Sequence, residues 1–490
     1  MDNTKSEYSR TTRLAQRVTP GEESDLLRRQ AGSLICVGGS VDLPGADTTM
    51  RMLVATLRRL PGRIVLLRGE HSSDAIGTIE EAADEIDPTN PIQVVSKAPE
   101  GAIRIHVGIE PDALIRVIPE RYGAHLIRGS SSPNLAGYPA HALGCMLAAA
   151  FGAAEVFAEM IAAFPSRRNA EPHTAWCPVA VSTDTGAAPD LAGPITLDVD
   201  LLGVGAIGTA VVEILAESQC EGVIDLVDAQ RFARENIGTY SIGTAADVER
   251  KPWKVDLAVE RLTSRPSVTA HRHPIDVRKF VDAVLHRQLP WSRTLITTFD
   301  NVPARHEAQR LWPDHLIDAA TGDTFAGLRH SAPGGACLMC LLPLPDADGS
   351  SVELLHDRTG LPIQVLAAGD EPLTELDLDG LTESQKSELR PHVGRLRCSL
   401  ARALGLTSLD AGDYLPAAPF VAQQAACLAV GRLVAVQLGL NVGFNDVQYD
   451  VLVGPASGAI RSRAQSKACY CARRADVVAA VRAELEADLR

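Results

Sequence analysis

Aromatic side chains make up only 4% of this 490-residue chain, and Lys and Arg (47) are outnumbered by Asp and Glu (61), for a net charge of −14. Both shortages bear on partners. A nucleic-acid binder needs a basic face to displace the counterions of the phosphates, and a single-strand binder needs aromatic faces for bases to stack on. The chain is poor in both, which argues against a nucleic-acid partner. The opening residues, MDNTKSEYSRTTRLAQRVTP, lack the apolar core of a secretion signal. A cytoplasmic location is expected, with the ten cysteines reduced, so paired cysteines point to metal before disulfide. Uninterrupted apolar runs of membrane-spanning length are also missing. The nearest, 135–164 and 419–440, contain His141, Glu155 and Glu159 in one and Gln423, Gln424 and Arg432 in the other. Charge at mid-span is costly in hydrocarbon, while the surrounding Ala and Gly suit close helix packing. Both runs are therefore expected to be buried core helices, with no membrane partner.

What the chain does have is length for two or three cores and a repeated alternation of strand and helix. Residues 1–32 read as a mobile arm ending in a short helix. From 33 to 164, strand-like runs (LICVGG, GRIVLLRG, IQVVS, AIRIHVGI, HLIRG) alternate with helical ones (TTMRMLVATLRRL, DALIRVIPERY), which predicts an α/β domain without a phosphate loop of its own. Residues 165–193, rich in Pro, Ala and Ser, read as a linker. A second α/β domain spans 194–475, interrupted by an acidic, loop-like region at 341–415, and a C-terminal helix covers 476–490. The expected class is thus α/β, a Rossmann-like domain with a mainly parallel sheet preceded by a second α/β domain. Residues 138–157 and 415–436 each place a proline before a small-residue helix at the end of an α/β unit. That echo is what a degenerate duplication leaves behind, although Ala-rich helices also resemble one another by composition alone.

The most informative stretch is 197–228, LDVDLLGVGAIGTAVVEILAESQCEGVIDLVD. Gly203, Gly205 and Gly208 form G-x-G-x-x-G between a strand and a helix, with Ala206 and Ile207 opening the helix. Asp228 closes the next strand, twenty residues after Gly208. The first glycine permits the tight turn, the second lets a phosphate approach the backbone, and the third lets helix pack on strand. The helix N-terminus offers unpaired N–H groups to that phosphate, and Asp228 is placed to accept hydrogen bonds from a ribose. A nucleotide site follows. Taken alone, these residues suit NAD as well as ATP.

Further along come DAQRFARENIGTYSIGTAADVERKPWKVDLAVERL, TTFDNVPARHEAQRLW, GGACLMCLLP and SKACYCARR. In this order they resemble the ThiF/MoeB/HesA family, the ubiquitin-activating-type adenylating enzymes, over roughly 194–474. The resemblance implies ATP on the glycine loop with its ribose at Asp228. It implies Asn236 beside the nucleotide, Lys254 on the phosphates, and Asp300 holding Mg²⁺, with Asn301 and Arg305 completing that segment. It also implies adenylation of the C-terminal carboxylate of a small ubiquitin-like protein, a sulfur-carrier protein or a precursor peptide. Cys337, Cys340, Cys469 and Cys471 would supply four thiolates to a closed structural Zn²⁺ site, although the second pair is C-x-C where the family has C-x-x-C.

Two departures leave alternatives open. The family's phosphate-binding arginine falls at Thr239, so Arg231, Arg234, or Arg28 and Arg29 of the arm would have to replace it, or a partner subunit in a homodimer. The family's second acid is Gln230. A transfer thiol is represented only by Cys398, among Arg395, Arg397 and Arg402, and a core-facing helical cysteine is an equal reading. A non-catalytic nucleotide-binding scaffold and an NAD-dependent oxidoreductase are the rival functions. The N-terminal domain is open to three roles: substrate recognition, dimerisation, or an inactive adenylation half.

Overall fold

The computed structural model describes residues 8–19, 21–40, 42–69, 73–131, 135–162, 172–342, 351–368, 371–394, 397, 400 and 418–486. Strands β1 (Leu34–Gly39), β2 (Arg63–Leu67), β3 (Gln93–Val95), β4 (Ile103–Val107), β5 (Ile115–Glu120), β6 (Gly123–Arg128) and β7 (His173–Trp176) form one sheet in the order β3-β2-β1-β4-β5-β6-β7. Strands β8 (Ile195–Leu202), β9 (Cys220–Val227), β10 (Val268–His273), β11 (Thr294–Thr297), β12 (His315–Gly322), β13 (Phe325–Ser331), β14 (Asp446–Asp450) and β15 (Ala459–Arg461) form the other, in the order β10-β9-β8-β11-β12-β13-β14-β15. In both, the first five strands are parallel and the later ones antiparallel. The chain is therefore two α/β domains whose sheets repeat one strand order.

The first half carries α1 (Ser9–Val18), α2 (Glu23–Gly32), α3 (Ala46–Leu57), α4 (Ser73–Ile86) and α5 (Ala142–Ile161). The second carries α6 (Ala206–Glu217), α7 (Ala245–Arg250), α8 (Lys254–Leu262), α9 (Val277–Leu285), α10 (Val302–Gln309) and α11 (Leu338–Leu341). It continues with α12 (Ser351–Thr359), α13 (Ile363–Ala367), α14 (Glu383–Leu389), α15 (Pro419–Gln437), α16 (Tyr470–Arg473) and α17 (Ala475–Leu485). The echoing segments become α5 and α15, which sit between the sixth and seventh strands of their respective sheets and pack on each other, with Phe157 and Phe420 ring centroids 5.2 Å apart. Both helices are long and apolar enough to cross a membrane, yet each is 94% buried against protein. Their buried charges have partners: Arg128 donates to Glu155 at 2.6 Å, and the Arg432 guanidinium lies over the Phe444 ring. Burial on all sides removes the amphipathic stripe a surface helix shows.

Three expectations are corrected here. The run 112–122, read as helical, is β5 followed by a turn into β6. Ile115 and Val117 face the main core while Arg116 turns its guanidinium to the carbonyls of Gly129 and Ser131. This two-sided burial erases the alternation that marks a half-exposed strand. The segment read as a linker contributes β7, paired with β6. The arm is packed from Tyr8 onward, with Leu14, Ala15, Val18 and Leu26 in the main core. Within 341–415, α12 to α14 surround a small separate core of Leu355, Leu361, Leu366, Leu373, Leu378 and Leu389. Cys398 lies outside the described residues.

Candidate functional site

A cavity of about 690 Å³ opens at the C-terminal ends of β8 to β11, where the strand order reverses direction from β8. In open α/β sheets this crevice is where ligands bind. Its floor is the glycine loop. Gly203 has a φ of +97°, and an added Cβ there would meet Thr298 Oγ1 at 3.0 Å. At Gly208 an added Cβ would lie 2.2 Å from the Gly203 carbonyl oxygen. At Gly205 it would meet nothing within 4 Å. The first and third glycines are thus required by the protein's own packing, and the second faces the space a phosphate would fill. Gly205 is the N-cap of α6, whose first N–H groups receive no side-chain cap. Ala206 and Ile207 line the cavity beside it.

Asp228 accepts from the Val204 and Gln230 N–H groups, one on each oxygen at 2.8 Å. It therefore braces the loop and keeps further lone pairs for hydroxyl donors. Asn236 is buried, and its Oδ1 accepts from the Ala233 N–H at 2.9 Å, so it caps its own turn as well as lining the cavity. Lys254 is 5% exposed, with Nζ donating to Gln230 Oε1 and lying 5.1 Å from the Tyr240 ring centroid. Burial pulls its pKa below the ordinary lysine value, with the charges of Asp228 and Asp300 opposing and that of Arg10 assisting. An anion beside Nζ would restore its proton affinity. Gln230, where the family has an acid, thus holds Lys254 by hydrogen bonding.

Asp300 is exposed to the cavity. Asn301 Nδ2 donates to one of its oxygens at 3.1 Å, and the other has no partner among the described residues. Asn301 itself caps α10 by accepting from the Ala304 N–H at 2.9 Å. Arg305 lines the cavity but is 1% exposed, and its guanidinium is committed to the Phe299 carbonyl and to Asp318. It braces the turn that presents Asp300 and does not offer its guanidinium to the nucleotide space, although the resemblance grouped it with the nucleotide-binding residues. Asp318 is fully buried and also receives Thr297 Oγ1 and Arg329. Nothing in the sequence marked this triad, because its members lie on three separate elements. Removing Asp318 leaves two guanidinium groups without their shared anion. Asp318→Ala should cost about 3–5 kcal/mol of stability in chemical denaturation.

An arginine does stand beside Thr239, but from a place the sequence did not mark. Arg10, on α1, lines the cavity and reaches Thr239 Oγ1 at 3.5 Å. Of the expected candidates, Arg231 also lines the cavity, but its guanidinium lies over the Trp253 ring and donates to the Lys251 carbonyl. Arg234 is exposed and is not among the cavity's lining residues. Arg28 pairs with Asp25 at the surface, and Arg29 donates to the Ile161 carbonyl. The arm does reach the site, through a residue 229 positions from Thr239 in sequence.

The four cysteines meet. Cys337 Sγ lies 3.7 Å from that of Cys340 and 3.5 Å from that of Cys469, Cys340 Sγ lies 3.5 Å from that of Cys471, and all four fall within 4.8 Å of one another. A tetrahedron with Zn–S bonds of about 2.3 Å has edges of about 3.8 Å, so the set fits a closed zinc site despite its C-x-C half. Gln465 Nε2 and the Ser466 N–H each lie 3.4 Å from a sulfur, as donors that would support thiolates. Cysteines elsewhere among the described residues are unpaired thiols.

No protein-family model and no curated protein matches the chain. Among solved structures it is similar to E. coli MccB with succinimide, at 15% identity and a TM-score of 0.35 over 56% of this chain and 65% of that one. It is similar also to the microcin C7 biosynthetic enzyme MccB in complex with N-formylated MccA, at 16% identity and a TM-score of 0.36 over 56% and 67%. A third alignment, to E. coli MccB with ATP, has 12% identity and a TM-score of 0.36 over 73% and 97%. In the first of these the chain spans a little under two thirds of its neighbour's length. Scores this low decide nothing about this chain's chemistry, which rests on its own pocket.

Proposed function

We propose that the chain is an ATP-dependent adenylating enzyme acting on the C-terminal carboxylate of a small ubiquitin-like or sulfur-carrier protein or of a precursor peptide. The observation that carries this reading is the convergence, in one cavity, of an open phosphate position at Gly205, the cations Lys254 and Arg10, and the half-free carboxylate of Asp300. In the reaction a carboxylate oxygen forms a bond to the α-phosphorus of ATP, the α–β bridging P–O bond breaks, and pyrophosphate leaves with the electron pair. Two anions must approach, so the site must provide fixed positive charge rather than a nucleophile. Lys254, Arg10 and the uncapped N-terminus of α6 orient the phosphates, and Asp228 accepts from the ribose. Asp300 would hold a Mg²⁺, which supplies charge neutralisation on the phosphate oxygens and is commonly bound by one or two carboxylates plus phosphate.

The scaffold reading rests on the missing arginine and on the uncertain thiol at Cys398, and Arg10 beside Thr239 weighs against the first of these. The pair of cations over the glycine loop favours a triphosphate over a nicotinamide dinucleotide. Because Arg10 comes from the same chain, the site needs no second copy, and the first half takes the place a partner subunit would occupy. The four cysteines would hold Zn²⁺ in a reducing cytoplasm. The test is Mg-ATP-dependent pyrophosphate exchange with each acceptor class; absence of exchange alongside NAD binding would reinstate the oxidoreductase. Arg10→Ala should lower exchange by about 10²–10³-fold, the usual cost of one preorganised charge at a reacting phosphate or oxyanion. Arg28→Ala, at a side chain 77% exposed, should leave the rate unchanged.

A further inference from the structure

The loop 237–243 brings Thr239 and Tyr240 to the cavity wall, where they meet Arg10 and Lys254. Its far side is held by the first half of the molecule. Arg59, two residues beyond the end of α3, is 2% exposed and donates from Nη1 to the Ile237 carbonyl at 2.6 Å, and from Nη2 to the carbonyls of Ser241 at 3.3 Å and Gly243 at 3.1 Å. The loop is tied elsewhere too: Ser241 N–H donates to Thr209 Oγ1 on α6, and Gln423 Nε2 lies 3.3 Å from Ser241 Oγ. Among the described residues, Arg59 is the side chain that hydrogen-bonds to both ends of the loop.

We infer that Arg59 is a positioning residue, through which the first half sets the nucleotide-facing wall of the second. This rests on the reading of the cavity as a nucleotide site. A planar fork with donors in fixed directions can satisfy three carbonyls at once, which an ammonium group cannot reproduce. Burial pulls the Arg59 pKa down to about 10, with Glu213 opposing, so the group remains charged at neutral pH. A buried charge serving three backbone carbonyls of a loop without regular structure fixes that loop's path. Shifts of about 1 Å in groups that orient a reacting phosphate cost up to about 100-fold.

The neighbouring Arg58 provides a matched control. It is 1% exposed and serves only first-half groups, donating to the carbonyls of Ala83 and Asp87. Arg59→Lys and Arg58→Lys should lower the melting temperature to a similar extent. Only Arg59→Lys should speed amide hydrogen exchange at 237–243 in the nucleotide-free protein, and only it should raise the Kd for Mg-ATP, by about 10- to 100-fold. A folded Arg59→Lys protein with unchanged loop exchange and unchanged Kd overturns the inference, as does an equal loss of affinity in Arg58→Lys. Loop loosening confined to Arg59→Lys, in a protein whose wild type does not bind Mg-ATP, would sink the nucleotide reading and leave the Arg59 brace standing.

Discussion

Asp300→Ala should reduce pyrophosphate exchange by about 10²–10³-fold or more, while leaving stability within about 0.5 kcal/mol of the wild type. The two effects separate because of where the side chain sits. Asp300 is exposed to the cavity, and among the described residues its one hydrogen bond is from the neighbouring Asn301 amide, so the folded state loses little with it. Under the proposed function the site would lose the carboxylate assigned to hold a divalent ion against the phosphates. Asn301 gives the opposite pattern. Its Oδ1 caps α10, so Asn301→Ala should cost about 1 kcal/mol and affect exchange mainly by loosening the turn. Asp300→Asn is the sharper variant, because it preserves the shape and the contact to Asn301 while removing the charge. If Asp300→Asn exchanges pyrophosphate at the wild-type rate across a Mg²⁺ titration, the metal role assigned to this residue is wrong.

The parts of the site legible in the sequence are those made by short-range spacing. Gly203, Gly205 and Gly208 are obligatory for local steric reasons, and Asp228 follows at the end of the adjacent strand, so one βαβ unit displays the floor of the cavity. Lys254 at the first position of α8 and Asp300 just after β11 were visible through motif order. What could not be seen is what crosses between halves. Arg10 and Arg59 reach the loop at 237–243 from elements far away in sequence, and no local pattern records that. The direction of Arg305 was not legible, because its motif position is the same whether its guanidinium faces a nucleotide or Asp318. Only the buried acid on β12 decides between the two.

The fold shows the same division. The echo between 138–157 and 415–436 was visible, but its meaning depended on where each helix falls in its sheet, and both fall between the sixth and seventh strands. The first half also departs from the second where its sequence is shortest. Residues 96–102 and 108–114 join β3 to β4 and β4 to β5 without helices, whereas α9 and α10 occupy those places in the second half. The helical reading of 112–122 supplied a helix at the second of these gaps. Here β-branched residues and two-sided burial outweigh local helix propensity.

Replacing Cys337 with serine should have the largest effect on stability. The four thiols join residues 337–340 to 469–471, across well over a hundred intervening residues. Closing a loop of about 100 residues by a cross-link is worth about 4–5 kcal/mol in chain entropy alone, and a structural zinc adds its binding energy to folding. The wild-type protein should carry one zinc per chain by elemental analysis, and Cys337→Ser should carry none. Protease should then cut α17, which contributes only Leu485 to the buried set and is otherwise held by side-chain bonds, among them Arg482 to Asp314 and to the carbonyls of Trp312 and Pro313, and Trp291 Nε1 to the Leu485 carbonyl. Activity should fall along with the tail. The Leu338 N–H donates to Gln309 Oε1, and His306 Nε2 contacts the Leu342 carbonyl, so the cysteine knuckle grips the far end of the helix that Asn301 starts beside Asp300. A metal-free wild type with four freely titratable thiols, an unchanged melting temperature in chelator and full exchange activity would show that this cluster is four reduced cysteines and nothing more.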